Sequence, residues 1–128
     1  MHDAAACDRS VVESRNSRAL DYYRRLRRVR EHLERDISRP LSTEKAARLA
    51  ELNPSYFSTF FHAKVGVRFT EWSRHVRIER AKVILRSEDC PILEVARRVG
   101  YTGRRAFERA FKRETSMTPS QFRDLVLK

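Results

Sequence analysis

Apolar residues recur along the chain at the three- and four-residue spacing that is typical of amphipathic helices. The first stripe consists of Tyr22, Leu26, Val29, Leu33 and Ile37. It predicts a helix that begins at about Asp21 and stops before Pro40, because proline cannot continue a helix. The preceding residues show little apolar periodicity, and we expect residues 1–16 to be a disordered or frayed leader.

A short helix and a longer one, separated by a tight turn, are predicted next. Ser42 or Thr43 can cap the short helix, whose small apolar side chains let a second helix approach closely. Pro54 is well placed to open the longer helix, over about residues 54–65, and Gly66 to end it. Its inward side chains are expected to be Phe57, Phe60 and Phe61. This order is the outline of a helix-turn-helix.

A long helix over residues 69–87 is apolar on two opposite sides. One side holds Phe69, Trp72, Val76 and Val83, and the other holds Ile78, Ala81 and Leu85. Such a helix must be packed from both sides, so we predict a linker helix between two cores. The outline then repeats: Pro91 opens a short helix, Gly100 makes a turn, a longer helix spans about residues 103–114, and Pro119 starts the last helix.

The two halves match each other residue by residue. An offset of 50 pairs Phe57, Phe61, Val67 and Trp72 with Phe107, Phe111, Met117 and Phe122. An offset of 49 pairs Ala46, Ala47, Ala50 and Leu52 with Val95, Ala96, Val99 and Tyr101, because the second turn has one extra residue. Helical periodicity alone repeats apolar positions, so a chance match is the alternative. We predict an all-α protein with helix-turn-helix subdomains over residues 17–68 and 88–128, joined by the linker helix over 69–87.

Charge turns this helical scaffold into a candidate binder of a polyanion. The chain has 28 Lys and Arg against 17 Asp and Glu, for a formal net charge of +11 at pH 7. DNA, RNA or an anionic membrane surface would fit this charge. No apolar run approaches the about 20 residues of a membrane span, and the N-terminus lacks the apolar core of a signal peptide. We therefore expect a cytoplasmic, nucleoid-associated protein with no membrane partner.

The helix over about residues 103–114 separates its charged residues from its apolar ones. On a helical projection Arg105, Arg109, Lys112 and Arg113 lie opposite Phe107, Ala110 and Phe111. Arg104 can pair weakly with Glu108, which leaves Arg105 and Arg109 without an obvious acid partner on the helix. Arginine can bond the O6 and N7 atoms of guanine in a major groove, and Thr102 with the amides at the helix start can hold a phosphate. A solvated basic face without specificity is the alternative.

The matching helix of the first half carries different chemistry. Ser55, Thr59 and His62 stand where the second half has Arg105, Arg109 and Lys112. They can touch bases or thymine methyl groups but add no fixed positive charge, so we predict more affinity and sharper readout from the second half. Tyr56 and Ser58 can reach a phosphate or be plain surface residues. The arginines of the first helix, and Arg74, Arg77 and Arg80 on the linker helix, are interpreted mainly as solvated.

From about Leu41 to Arg123 the chain resembles the DNA-binding domain of the AraC/XylS family of bacterial transcription regulators. The family's tail signature corresponds to Ile92, Val95, Ala96, Gly100, Tyr101, Phe107, Arg109, Phe111, Lys112, Thr118, Pro119, Phe122 and Arg123, and the linker-helix pattern to Arg77, Ala81 and Leu85. The resemblance implies about seven helices, with both recognition helices in successive major-groove segments on one face of double-stranded DNA. Groove periodicity then requires recognition helices about 34 Å apart, or a bent DNA.

Site residues follow from the resemblance together with the surface chemistry. The expected base contacts are Ser55, Ser58, Thr59, Arg105 and Arg109. The expected backbone contacts are Tyr56, His62, Thr102, Arg104, Lys112 and Arg113. Two residues depart from the family pattern. Glu51 replaces a glycine that many relatives have in the first turn, which predicts a less regular turn because a non-glycine residue at positive φ costs about 1 kcal/mol. Thr59 stands where relatives often carry arginine, which weakens the expected readout by the first half.

Most members of the family carry a further sensing or dimerisation domain, for which the about twenty residues before the first helix leave no room. Either the chain resembles short single-domain members such as MarA and SoxS and acts as a monomer, or it is a fragment of a longer regulator. Members usually touch RNA polymerase, so the resemblance implies an activator with RNA polymerase as a second partner.

Enzyme motifs are missing from the sequence. It has no His-Glu-x-x-His, Gly-x-Ser-x-Gly or phosphate-loop pattern, and its four histidines lack metal-ligand spacing, so we predict no enzyme, no metal and no cofactor. Cys7 and Cys90 are interpreted as free thiols. Two other functions remain open at this point: a non-specific architectural or RNA-binding protein, and an interaction module for which DNA contact is secondary.

Overall fold

The computed structural model describes residues 23–127, which contain seven α-helices and no β-strand. The helices are α1 (Arg24–Arg35), α2 (Thr43–Leu49), α3 (Pro54–Val65), α4 (Phe69–Ser87), α5 (Ile92–Arg98), α6 (Arg104–Thr115) and α7 (Pro119–Val126). The predicted all-α class is therefore confirmed. The expected leader over residues 1–16 and the start of the first apolar stripe at Tyr22 lie outside the described residues.

Capping side chains set the helix ends close to where the sequence predicts them. Ser42 caps α2 and Asn53 caps α3, each with a side-chain oxygen that accepts a backbone N–H of the first turn. Thr118 and Gln121 form a reciprocal capping box at the start of α7. Gly66 ends α3 in the left-handed conformation with φ 96°. Each of these helix ends is set by residues within about one turn of it, and the local sequence was therefore enough to predict them.

The chain forms two compact units. Within the described part, the first unit comprises residues 23–35 and 41–71, and the second comprises residues 36–40 and 72–127. The first three residues of α4 belong to the first unit and its remainder to the second. Residues 36–40 connect α1 to α2 in the chain, and they belong to the second unit although both of those helices belong to the first.

Each unit has a core built on phenylalanines of its longer helix-turn-helix helix. In the first unit the fully buried rings of Phe57 and Phe61 both meet Phe69 edge-on, with ring centroids 5.5 Å apart. In the second unit Phe107 and Phe111 are fully buried, and Phe111 meets Phe122 at 5.5 Å. Such edge-on pairs contribute about 0.5–1.5 kcal/mol each beyond the burial of their area. They hold the inner side of α3 and of α6 in place.

The internal repeat covers three helices rather than two. Every residue paired by the offsets of 49 and 50 has the same burial class as its partner. In addition, an offset of 52 pairs Leu26, Val29 and Leu33 of α1 with Ile78, Ala81 and Leu85 of α4, all of them at most 1% exposed. The second half of α4 thus has the same place in its unit as α1 has in the first.

The turn at Glu51 is as regular as its glycine counterpart, so the prediction of a less regular turn is wrong. Glu51 adopts φ 60°, and Gly100, its match at offset 49, adopts φ 97°. The amides of Glu51 and Leu52 bond carbonyls of α2 at 3.0 and 2.9 Å, and the equivalent bonds of the second turn measure 3.1 and 2.9 Å. Arg28 also pairs with the Glu51 carboxylate at 3.2 Å. The strain of a positive φ is therefore borne without loss of the turn's hydrogen bonds.

Three apolar side chains of the helices are not buried, and two of them, Val83 and Phe60, were expected on packed faces. Val83 is 54% exposed, because beyond Trp72 only the opposite side of α4 joins the core of the second unit. Leu125 is 60% exposed on α7, whose buried side chains are Pro119 and Phe122. Phe60 is only half-buried, and its ring contacts those of Tyr23 and Tyr56.

Candidate nucleic-acid interface

The outward face of α6 is a continuous basic surface. Its members Arg105, Arg109, Lys112 and Arg113 are all exposed, whereas Phe107, Ala110 and Phe111 on the other side are buried in the core of the second unit. The side chains of Arg105 and Arg109 make no hydrogen bond or ion pair within residues 23–127. Arg104 does pair, through Nε to the Glu108 carboxylate at 2.9 Å, as the four-residue spacing predicted. Two arginines on this face are thus available to an external acceptor.

The start of α6 offers backbone donors beside the same face. Gly103 is the N-cap residue and has an extended conformation, and no side chain caps the helix there. Thr102 is exposed directly before it. The first amides of a helix lack partners within the helix and lie at the positive end of its dipole, so an uncapped start favours an anion. The start of α3 differs because it is capped: the Asn53 side chain accepts a hydrogen bond from the backbone amide of Tyr56 at 2.9 Å.

The outward face of α3 is polar but carries no fixed charge. Ser55, Ser58, Thr59 and His62 are all exposed on it. The Thr59 hydroxyl donates to the Ser55 carbonyl at 3.3 Å, which leaves its lone pairs and methyl group for an outside contact. Tyr56 is 55% exposed and stacks on Phe60 at 6.0 Å. This face can accept hydrogen bonds and meet methyl groups, in contrast to the arginines of α6.

A cleft of about 630 Å³ opens in the first unit beside α3. Its walls are formed by Thr43, Ser58, Thr59, His62, Ala63, Arg68, Phe69 and Thr70. The cleft brings together three expected site residues of α3 with Arg68, an exposed arginine that the sequence reasoning missed. The repeat held the signal, because the offset of 50 places Arg68 opposite Thr118 and so marks a cation that only the first half has.

Arg77 of α4 is an interior residue, and interpreting it as solvated was wrong. It is 6% exposed, and its guanidinium donates to the carbonyls of Ile37, Val99 and Arg39, the last two at 2.8 and 3.1 Å. Burial lowers the pKa of this guanidinium, and the nearby Tyr101 acts in the opposite direction. Three carbonyl acceptors explain why a charge is tolerated here, since a buried charge is costly unless it is well bonded.

Arg74 is also engaged, at the far end of α6. Its Nε donates to the Glu114 carboxylate at 3.0 Å, and His75 Nδ1 lies 3.4 Å from the other carboxylate oxygen. The hydrogen bond from His75, together with Arg74, holds the pKa of Glu114 below its ordinary value, although burial acts against them. The negative charge at this end of α6 is therefore balanced within the second unit.

Other kinds of site find no support in the part of the chain that is described. Residues 23–127 contain no cluster of three or more His, Cys, Asp or Glu side chains placed to hold a metal ion. Cys90 is a partly exposed free thiol, and Cys7 lies outside the described residues. Among the seven helices, none combines the length and the apolar character needed to cross a membrane.

Two helix-turn-helix units, each with a polar or basic face on its longer helix, define a DNA-binding protein of the helix-turn-helix class. Residues 46–124 match the family model described as a helix-turn-helix domain. The regulatory protein SoxS of Salmonella typhimurium is 30% identical over 93 residues, which are 73% of this chain and 87% of SoxS. The chain belongs to the AraC/XylS family of transcription regulators and contains that family's DNA-binding domain.

Solved structures agree with this assignment. The C-terminal domain of AraT, a response regulator from Geobacillus stearothermophilus, has a TM-score of 0.73 and 32% identity, over 77% of this chain and 83% of that one. The DNA-binding domain of AdpA, solved in complex with a target DNA, has a TM-score of 0.72 and shares the fold at 23% identity, over 76% of this chain and 87% of that one. Five further relatives, named as transcriptional or operon regulators, are longer proteins, and this chain spans 25% to 34% of their length.

Proposed function

We propose that the protein is a sequence-specific regulator of transcription that inserts α3 and α6 into successive major-groove segments of double-stranded DNA. The observation that carries this proposal is the pair Arg105 and Arg109, exposed and unbonded within residues 23–127 on a helix whose other side is buried. Membership of a family of transcription regulators, and a relative of the same fold solved on its target DNA, support it further.

In this proposal the second unit reads bases through arginine. Arg105 and Arg109 lie four residues apart, about one helical turn, so both can reach the floor of one groove segment. An arginine that bonds both O6 and N7 of a guanine contributes about 1–3 kcal/mol of discrimination. The half-site of the second unit should therefore contain one or two strongly preferred guanines.

The first unit reads bases more weakly. Ser55, Ser58 and Thr59 bring hydroxyl groups and one methyl group to the groove. These groups accept or donate single hydrogen bonds and pack against thymine methyls, which discriminates less than a bidentate arginine. We expect its half-site to tolerate several bases at each position.

Phosphates on either side would hold both helices in register. For α6 we assign this role to Thr102 with the uncapped first turn, to Lys112 and Arg113, and to Arg104, which can exchange Glu108 for a phosphate. For α3 we assign it to Tyr56 and His62. Such contacts add affinity without sequence preference.

Selection of bound sequences from a random duplex pool tests the proposal. We expect a bipartite site with centres about 10 bp apart, which is the spacing of successive major-groove segments on one face of DNA. The half-site of α6 should be strongly enriched and that of α3 weakly, and enrichment of a single short site with no preference about 10 bp away would contradict base readout by α3. A pool without any enrichment would leave only the non-specific architectural function.

Arg109→Ala tests the role of the arginine itself. We expect about a tenfold loss or more on the selected site and a relaxed preference at one base pair, because one bidentate contact is removed. Arg80→Ala is the matched control, since Arg80 is an exposed arginine of α4 in the same unit. If Arg109→Ala weakens binding equally on all sequences, Arg109 contacts phosphate rather than a base.

We further propose that the protein activates transcription through contact with RNA polymerase at the nucleoid, and binds its site as a monomer. Family membership supports the first part, and the two unlike half-sites expected for α3 and α6 support the second. Transcription in vitro from a template with and without the selected site measures the sign of the effect. Light scattering of the protein–DNA complex measures the stoichiometry, and two chains per site would contradict the monomer.

A further inference from the structure

The first unit lacks helix-borne cations where the second unit has three of them. At an offset of 50, Thr59, His62 and Ala63 of α3 take the places of Arg109, Lys112 and Arg113 of α6. The three side chains of α3 are shorter, and all three line the cleft beside that helix. The replacement therefore removes fixed charge from the helix and leaves a concave surface in its place.

Arg68 returns a cation to that surface from outside the helix. It lies in the turn between α3 and α4, it is exposed, and it lines the cleft together with Ser58, Thr59 and His62. No hydrogen bond or ion pair joins its guanidinium to another residue of the described part. The matching residue of the second unit, Thr118, is the helix cap of α7. A capping residue in one unit thus corresponds to an available guanidinium in the other.

The chemistry of the cleft fits an anion with oxygen acceptors. Arg68 is its fixed cation, and Thr43 and Thr70 line it with hydroxyl-bearing side chains. None of the eight residues that line it is an acid. The nearby Glu71 accepts the backbone amide of Arg68 at 3.4 Å at the start of α4, so its carboxylate is engaged with the main chain. Arginine presents a planar fork of donors that matches two phosphate oxygens.

We propose that this cleft binds a backbone phosphate of the duplex on which α3 lies, with Arg68 as its principal ligand. The inference rests on the proposed function, because it takes α3 as a DNA-contacting helix. Ser58, Thr59 and His62 are both proposed DNA contacts and walls of the cleft, so a duplex that covers the outward face of α3 also covers the cleft. Arg68 then supplies the first unit with the charge-dependent affinity that its recognition helix lacks.

The two units repeat the same helices, but in this proposal they differ in where their base readout and their charge lie. The second unit combines base readout and charge on α6, whereas the first separates them, with weak readout on α3 and charge at Arg68. The first half-site should consequently have little sequence preference and yet contribute clearly to affinity. Its share of the binding should also be sensitive to salt, since it depends on neutralising a phosphate.

The test compares the unaltered chain, Arg68→Ala and the control Arg35→Ala on the selected site and on an unrelated duplex over a series of salt concentrations. Arg35 is an exposed arginine of the same unit at the end of α1, and about 18 Å of helix separates it from Tyr23, which contacts Phe60 of α3 just before α1 begins. For Arg68→Ala we expect about a tenfold weaker binding on both duplexes. The slope of log K against log salt should become shallower by about 0.9, the value for one phosphate. The control should keep both slope and affinity, and both variants should keep the melting temperature.

Replacing single phosphates of the site by uncharged methylphosphonates locates the contact. One replacement near the first half-site should weaken the unaltered chain as much as Arg68→Ala does, and it should have no further effect on that variant. Specific binding by the unaltered chain together with unchanged slope and affinity in Arg68→Ala would overturn this inference and leave the proposed function intact. Absence of enrichment in the random pool would overturn sequence specificity, and the slope on the unrelated duplex would still decide the role of Arg68. A relaxed base preference in Arg68→Ala would also overturn the inference, because it would make Arg68 a base contact.

Discussion

Gly100→Ala should destabilise the protein far more than Gly66→Ala, although both glycines have a positive φ. Gly100 adopts φ 97°, and a Cβ atom on it would lie 2.8 Å from the carbonyl oxygen of Ile37 and 2.8 Å from Cζ of Arg77. It would lie closer still to Nη1 of Arg77, the atom that bonds both Ile37 and Val99. The buried guanidinium and the methyl group cannot occupy this space together.

The magnitude follows from two separable contributions. A left-handed conformation costs a non-glycine residue about 1–2 kcal/mol, and Gly66, with φ 96° and no atom within 4 Å of its Cβ position, would show that cost alone. At Gly100 the guanidinium must also move away from carbonyls it bonds, and hydrogen bonds to charged groups are worth about 1.5–3 kcal/mol each. We expect Gly66→Ala to lose about 1–2 kcal/mol and Gly100→Ala about 4 kcal/mol or more.

Urea unfolding of both variants, followed by circular dichroism and by the fluorescence of the single tryptophan, Trp72, measures these losses. The double variant Gly100→Ala with Arg77→Ala completes a mutant cycle. If the clash with Arg77 is the cause, Gly100→Ala should cost less in the chain that already lacks Arg77. Equal losses for Gly100→Ala and Gly66→Ala would refute the reasoning, because they would show that the contacts around Arg77 add nothing to the backbone strain.

Two further predictions concern stability. Ser116 ends α6 with φ 67°, and the residue that matches it in the first half is Gly66. Ser116→Gly should therefore relieve backbone strain and stabilise the protein by about 0.5–1 kcal/mol in thermal unfolding. An unchanged or lower melting temperature would count against strain at this cap. Glu114 has a folded-state pKa below its unfolded value, so its stabilisation is present above about pH 4.3 and is lost as the pH falls through the lower folded pKa. Glu114→Gln should therefore be about 1–3 kcal/mol less stable at neutral pH, with a difference that closes in acid; parallel unfolding curves against pH would contradict the role of Arg74 and His75.

Most of the helical layout could be predicted from the sequence. The apolar spacing, Pro54, Gly66 and Pro119 mark helix ends that the structure confirms to within a few residues. Each of these signals acts over about one helical turn, so a reading of neighbouring residues captures it. The repeat was also visible in the sequence, because two copies of one core require apolar residues at equivalent positions.

The candidate site was predicted in part. The outward placement of Arg105 and Arg109 follows from the helical projection, and the structure agrees. Their contacts with bases remain a prediction, since only a bound duplex can test them. Arg68 was missed because its significance depends on the cleft that forms when the turn after α3 meets α2 and α3.

The sequence by itself determined the helices, the repeat and the separation of charge from apolar residues on α6, because those properties depend on residues close together in the chain. Only the tertiary structure decided which arginines are available. The sequence does not distinguish Arg74, Arg77 and Arg80 of α4. In the structure Arg74 pairs with Glu114, Arg77 is buried and donates to three carbonyls, and Arg80 is exposed. A side chain's partners come from distant parts of the chain, and no local pattern encodes them. That physical difference separates a basic residue that supports the fold from one that can meet DNA.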